Sequence, residues 1–195
     1  MANNFLEKVL IWAGYKKPAI LEYNVPTESL PYSFYEKIHG DINFTLEERI
    51  EISKAVQEWN VFCDGYIVLD IDFDLTPVNA SIPKNRAAIL RAHDKHPVVQ
   101  SYQDANKVSI IGLCYYDQKV GPNMYLLHDK LGANSLWWRL VALHEIGHYL
   151  GLSHVEGEAI MGAICLSHPT TLTELDAKEF ARVYKVDHNK LVYRL

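Results

Sequence analysis

The chain has 195 residues, of which 49% are hydrophobic and 22% charged, and its formal net charge is −5. This composition is typical of a globular protein, and the length suits one domain with a sizeable core. A negative net charge without a dense run of Lys and Arg argues against nucleic acid as a partner. No run approaches the roughly 20 apolar residues that span a bilayer, so we expect a soluble protein without a membrane partner.

The cysteines and the N-terminal charges bear on the cellular compartment. The three cysteines are Cys63, Cys114 and Cys165. Their odd number and wide spacing predict free thiols rather than disulfides or a thiolate metal site. Lys16 and Lys17 follow a short apolar run instead of preceding it, which is the reverse of a secretory signal. We therefore expect no signal peptide and a cytoplasmic protein.

Taken in chain order, residues 1–30 are expected to form an N-terminal extension, and residues 31–195 the folded domain. A first strand is predicted over residues 32–38. Thr45 and Glu48 form a capping box, which predicts that a helix starts there and runs to about residue 59. Apolar residues recur at helical spacing in this segment and are expected to face the core. They are Leu46, Ile50, Val56 and Trp59.

The middle of the chain mixes strand patterns with breakers. Residues 66–74, YIVLDIDFD, alternate apolar side chains with aspartates, which predicts a strand with one wet face. Residues 77–106 contain three prolines and little periodicity, so we expect a long surface insertion with a helical piece over residues 84–93. Two more strands are predicted over residues 108–116 and 123–127, separated by a turn at Gly121 and Pro122.

Two helices are predicted in the last third of the chain. The first starts at Asn134 or Ser135 and ends at Gly151, a residue suited to the left-handed position that terminates helices. The second starts at Thr173, which has Asp176 three residues further on. Strands and helices therefore alternate along the chain. We expect an α/β fold with a mixed, mostly parallel twisted sheet, helices against it and a smaller C-terminal helical part.

The first of these helices carries the residues with the clearest chemistry. Residues 144–154, HEIGHYLGLSH, match the pattern HExxHxxGxxH at every specified position. Four helical residues turn through about 400°, so His144 and His148 project from nearly the same face and can share one ion. Gly151 allows a sharp turn that returns His154. Three histidines and a water form an open catalytic site for one zinc ion per chain.

Glu145 directly follows a predicted ligand and projects beside the metal position. Zinc lowers the pKa of a bound water, and a carboxylate there can accept its proton as the water attacks a carbonyl. The pattern therefore predicts hydrolysis, with Glu145 as the catalytic general base. An alternative keeps the ligands but lacks activity, which would leave a silent zinc-containing module that binds peptides. In another alternative Glu174 or Glu179 replaces His154 as the third ligand.

The motif, followed by Ile160, Met161 and Gly162, resembles the zinc site and Met-turn of the metzincin peptidases, and the short spacing from His154 to Met161 is most similar to the matrixins. The resemblance implies a metalloendopeptidase whose catalytic domain covers residues 31–195 and whose partner is a peptide or protein substrate. It also implies that Met161 forms a hydrophobic floor beneath the zinc without binding it. Nothing in the sequence indicates an oligomer, so a monomer is expected.

Overall fold

The structure, a computed structural model, describes residues 34–76, 87–117, 121–163 and 169–193. The strands are β1 (Phe34–Asp41), β2 (Ile67–Leu75), β3 (Ala87–Ala92), β4 (Gly112–Asp117) and β5 (Gly121–Leu127). The helices are α1 (Leu46–Phe62), α2 (Pro97–Asn106), α3 (His128–Leu131), α4 (Ser135–Tyr149) and α5 (Glu174–Tyr184), followed by a 3-10 turn over His188–Lys190. The expected extension over residues 1–30 lies outside the described ranges.

The five strands form one sheet in the order β2-β1-β3-β5-β4. β1 pairs in parallel with β2 and β3, and β3 pairs in parallel with β5. β4 is antiparallel to β5 and forms one edge of the sheet. The predicted α/β fold with a mixed, mostly parallel sheet is therefore confirmed.

The two faces of the sheet are covered by different helices. The side chains of Met124 and Leu126 on β5 belong to the main core, together with buried residues of α1 and α4. Tyr125 and Leu127 point to the opposite face and join a smaller cluster with Val99 of α2. This division follows from the alternation of side chains along a strand. The main core thus lies between the sheet and the helix that carries the histidine motif.

Helix α1 starts where the capping box predicts. The backbone N–H of Thr45 donates to Glu48 Oε2 at 2.9 Å, and the N–H of Glu48 donates to Thr45 Oγ1 at 3.3 Å. The expected core stripe is wrong in its first half, because Leu46 is 68% exposed and Ile50 is 46% exposed. The buried face instead runs through Ile52, Ala55, Val56, Trp59 and Phe62. In the first turn the side that faces the protein carries Glu48 instead, which is buried and pairs with Arg91 of β3 at 2.9 Å.

The expected surface insertion over residues 77–106, with a helix over residues 84–93, is wrong. Residues 87–92 form β3 in the middle of the sheet, and α2 starts only at Pro97. Ala87, Ala88 and Ile89 are all buried. A central parallel strand is covered on both faces and lacks the alternation that identifies a half-exposed strand. Residues 77–86 lie outside the described ranges.

The neighbouring strands show one confirmation and one correction. β2 has the predicted alternation of buried and exposed side chains. Two of its aspartates pair with residues of the neighbouring strand β1: Asp72 with Lys37 at 2.5 Å, and Asp74 with His39 at 2.8 Å. The expected turn at Gly121 and Pro122 is wrong, because both residues already pair with β4 as part of β5. Pro122 can occupy a strand where its missing N–H is not needed for pairing.

Two further expectations concern cysteines and membranes. Cys63 and Cys114 are free thiols, as predicted, and burial raises the pKa of both. Cys165 lies outside the described residues. Over the part of the chain that the structure describes, no helix combines the length and apolar character needed to cross a bilayer. The cytoplasmic location stays a prediction.

Asn60 stabilises the outer strand β2 through two backbone hydrogen bonds. Its Nδ2 donates to the carbonyl of Leu69 at 2.8 Å, and its Oδ1 accepts from the N–H of Leu69 at 2.7 Å. We expect Asn60→Ala to lower the free energy of unfolding by about 1–3 kcal/mol, because both backbone groups lose a partner. Urea denaturation measures this loss. Lys54→Ala, which removes a half-exposed lysine from its pair with Glu51 on the same helix, should change stability less. Equal effects of the two variants would contradict this role of Asn60.

Candidate active site

Helix α4 places three of the predicted site residues inside the protein. The side chain of Asn134 caps its start by accepting from the N–H of Leu136 at 3.2 Å. The last nine residues of the helix are all buried, including His144, Glu145 and His148. Gly151 then adopts a φ of +83°, as predicted for the residue that ends the helix and turns the chain. The predicted site residues of this helix are therefore positioned by the packing of the protein interior.

The structure brings the three predicted histidines together. The Nε2 atom of His154 lies 3.2 Å from Nε2 of His144 and 3.0 Å from Nε2 of His148. Within the described residues, these three form the group of His, Cys, Asp and Glu side chains that could hold a metal ion, with ligand atoms within 4.8 Å of one another. The turn at Gly151 therefore returns the third histidine to the other two.

The orientation of the two helical histidines follows from their other ring nitrogens. Nδ1 of His144 lies 2.7 Å from the carbonyl oxygen of Ile160, and Nδ1 of His148 lies 3.0 Å from that of Leu152. A carbonyl only accepts, so each Nδ1 carries the hydrogen and donates it. Each neutral ring then presents a lone pair at Nε2. Such bonds fix the tautomer and the ring orientation in metal sites.

The donor set fits a zinc ion. Lone pairs at 3.0–3.2 Å from one another repel unless a cation lies between them. Zinc binds imidazole nitrogen at about 2.0–2.1 Å in a tetrahedron, whose edges are then about 3.3–3.4 Å. Burial lowers the pKa of His148 and, with the neighbouring His144, lowers that of His154 to about 4. Both rings are thus neutral at neutral pH, as metal binding requires.

Glu145 lies beside this group, against the edge strand β4. A methyl group placed on Gly112 would come within 2.5 Å of Glu145 Oε1, so a larger residue there would displace the carboxylate from its present position. The Cys114 backbone donates a hydrogen bond to the same side chain. Oε2 of Glu145 is buried and has no hydrogen-bond partner among the described residues. The carboxylate is therefore held through one side, while one oxygen remains available.

The surroundings of Glu145 change its acidity. Burial raises the pKa of this carboxyl to about 8, and the hydrogen bond from the Cys114 backbone opposes part of that rise. A raised pKa makes the ionised carboxylate a stronger proton acceptor. The direction of this shift therefore agrees with the predicted role as a general base.

Met161 lies directly beneath the histidine helix. Its side chain is fully buried and lies so close to Gly147 that any side chain at that position would collide with the Met161 sulfur. The N–H of Val155 donates to the Met161 carbonyl at 2.9 Å, which ties the loop after His154 to the turn at Met161. This position agrees with a hydrophobic floor under the histidines. Residues 164–168, which follow the turn, lie outside the described ranges.

Asp176 supports the site in a way that its sequence does not reveal. The carboxylate is fully buried and accepts from the N–H groups of Ile160 at 3.1 Å and Met161 at 2.8 Å. It also accepts from the N–H and the hydroxyl of Thr173, both at 2.8 Å, in the predicted capping box. The sequence pattern identifies only the cap. The same carboxylate fixes the turn whose carbonyl orients His144.

Neither glutamate that was considered as a third ligand belongs to the histidine group. Glu174 pairs with Lys178 at 2.7 Å on the surface of α5. Glu179 accepts from the N–H of Ser153 at 3.0 Å and pairs with Arg182 at 2.7 Å. Within the described residues the group that could hold a metal contains His154 and neither of these carboxylates. The geometry favours three histidines over two histidines and a glutamate.

A mixed five-stranded sheet, with a buried helix that brings three histidines and a glutamate together, defines the class of a zinc-peptidase-type domain. A family model described as Matrixin matches residues 16–185. The chain therefore belongs to the matrixin family, a family of zinc metallopeptidases. A comparison with curated proteins gives no match.

Substitution of the buried Asp176 tests whether its carboxylate holds the turn at Met161 beneath the histidines. We expect Asp176→Asn to lower the free energy of unfolding by at least about 2 kcal/mol, because an amide nitrogen would replace one acceptor among four donors. Chemical denaturation measures the change. Glu174→Gln, a similar substitution on the exposed side of the same helix turn, should have no measurable effect. A fully stable Asp176→Asn variant would show that the turn at Met161 does not depend on this carboxylate.

Proposed function

We propose that the chain is a zinc-dependent endopeptidase that hydrolyses peptide bonds in peptide or protein substrates. His144, His148 and His154 would bind one zinc ion, and Glu145 would act as the general base. The observation that carries this proposal is the convergence of three Nε2 atoms beside a buried carboxylate with an available oxygen. Membership of the matrixin family supports the same class of reaction. The expectations of a monomer and of no membrane or nucleic-acid partner stay predictions.

The reaction divides between the metal and the protein. When bound, zinc supplies Lewis acidity, which polarises a carbonyl and lowers the pKa of a coordinated water. Oε2 of Glu145 accepts the proton that the attacking water loses, and afterwards delivers it to the nitrogen of the leaving amine. Burial raises the pKa of this carboxyl, which strengthens the ionised form as a proton acceptor and helps it to hold the proton until the amine takes it up. The hydrogen bond from the Cys114 backbone keeps the other side of the carboxylate in place.

A silent peptide-binding module remains the alternative, and one feature of Glu145 favours the enzyme. Binding alone does not require a carboxylate that is buried and lacks a partner for one oxygen among the described residues. Burial of such a group costs stability, so its retention beside the histidines is better explained by proton transfer. The two readings differ in one measurable property, which is turnover.

The ligand set predicts how metal binding responds to substitution. His154→Ala removes one of three ligands, so we expect the zinc affinity to fall by at least about 100-fold, beyond the 10- to 100-fold typical of changes around the ligands. Glu174→Ala should bind zinc like the unmodified chain, since Glu174 pairs with Lys178 instead. Metal analysis after dialysis and competition with a chelator measure both. The opposite pattern would establish a glutamate as the third ligand.

Glu145→Gln tests the general base while preserving the size of the side chain. We expect this variant to keep its zinc but to lose hydrolysis by about 10²- to 10⁴-fold, because the amide cannot accept the proton. Zinc-loaded protein is incubated with a diverse peptide library, and the products are read by mass spectrometry. Unchanged turnover in the zinc-loaded variant would remove Glu145 from the mechanism. A zinc-loaded unmodified chain that cuts no peptide would support the silent module.

A further inference from the structure

The loop after α4 must return His154 to the two helical histidines, and the structure shows what holds it. At its start, the N–H of Leu152 donates to the Gly147 carbonyl at 2.9 Å. At its end, the N–H of Val155 donates to the Met161 carbonyl at 2.9 Å. Between these two anchors, the residue next to His154 donates its N–H to a side chain of another element.

That side chain is Glu179 of α5, whose Oε1 lies 3.0 Å from the N–H of Ser153. The carboxylate is buried, and Arg182 binds both of its oxygens at 2.7 Å. Two parallel hydrogen bonds from a guanidinium fix the orientation of a carboxylate as well as its charge. Glu179 is therefore held in one position from its own helix while it receives the N–H beside the third histidine.

We propose that Glu179 is a positioning residue that sets the metal affinity of the site by fixing the loop that carries His154. This inference rests on the proposed zinc site. Glu179 does not touch the metal position, since the group of possible ligands contains the three histidines alone among the described residues. Its effect passes through the backbone of Ser153.

His154 depends on such support more than the other two histidines do. His144 and His148 are carried by consecutive turns of one buried helix, so their separation is set by the helix itself. His154 lies outside any helix, and a loop that is free to move must be ordered each time the metal binds. The hydrogen bond to Glu179 removes that cost in advance. Loss of the bond should weaken metal binding without removing any ligand.

The test compares Glu179→Met with Glu179→Gln. These side chains have similar length and volume, but only glutamine keeps an oxygen that can accept from Ser153. We expect Glu179→Met to weaken zinc binding by about 10- to 100-fold, as changes around metal ligands do, and Glu179→Gln to recover most of that loss. Glu174→Gln is the matched control on the same helix. It should bind zinc like the unmodified chain, because Glu174 lies at the surface and pairs with Lys178.

Three readouts separate positioning from general stability. Thermal unfolding of the metal-free variants measures the stability of the fold, and competition with a chelator measures zinc affinity. The visible absorption of the cobalt-substituted protein reports the ligands, and in Glu179→Met it should move toward that of His154→Ala. If Glu179→Met does not fold, Glu179→Asp takes its place, since the shorter carboxylate cannot reach Ser153.

The outcomes are distinct. Zinc affinity that is unchanged in Glu179→Met, or reduced equally in Glu174→Gln, would overturn the positioning role while the zinc site stands. Zinc affinity that is unchanged in His154→Ala would instead overturn the proposed site itself. A cobalt spectrum of Glu179→Met identical to that of the unmodified chain, with affinity lost only in proportion to thermal stability, would assign Glu179 to the fold alone.

Discussion

The site depends on the Nε2 atoms of His144 and His148 being held 3.0–3.2 Å from Nε2 of His154, with the lone pairs of the two helical rings facing it. Each helical ring achieves this by donating its other nitrogen to a backbone carbonyl, that of Ile160 for His144 and that of Leu152 for His148. Both carbonyls belong to irregular segments outside α4. The helix therefore fixes where the rings are, while non-helical backbone decides how they are turned. Movement of those segments would change the orientation of the rings and therefore the positions of the nitrogens that would bind the metal.

Irregular backbone near a metal site needs its own support, and helix α5 supplies it. Asp176 and Glu179 lie three residues apart, which places them on neighbouring positions of one helix face. Asp176 accepts a hydrogen bond from the N–H of Met161, and Glu179 accepts one from the N–H of Ser153. Carboxylates are strong acceptors for backbone N–H groups, and burial here is tolerated because the hydrogen bonds replace water. One short helix thus holds both segments that position the histidines.

Sequence patterns identified the local features of this fold. They failed where contacts between distant segments determine the structure. Thr45 and Glu48 predicted the start of α1, and the spacing of His144, Glu145 and His148 predicted that the two histidines share one face of a helix, because helix geometry alone relates those residues. Residues 87–92 read as part of a surface insertion, since a strand buried on both faces has no alternating pattern. Asp176 was recognisable only as a cap. Its bonds to Ile160 and Met161 depend on how the chain folds back on itself, which no local pattern records.

The edge strand β4 connects the sheet to the chemistry. Gly112 leaves the space that the Glu145 carboxylate occupies, and the Cys114 backbone binds that carboxylate. A strand at the edge of a sheet also has backbone groups that can pair with an extended peptide. If Glu145 is the general base, as proposed, the same strand would hold both this carboxylate and an extended substrate, which would fix the distance between the two. Because a small displacement of a catalytic group is costly in rate, a shared rigid strand is a better support than two independent loops.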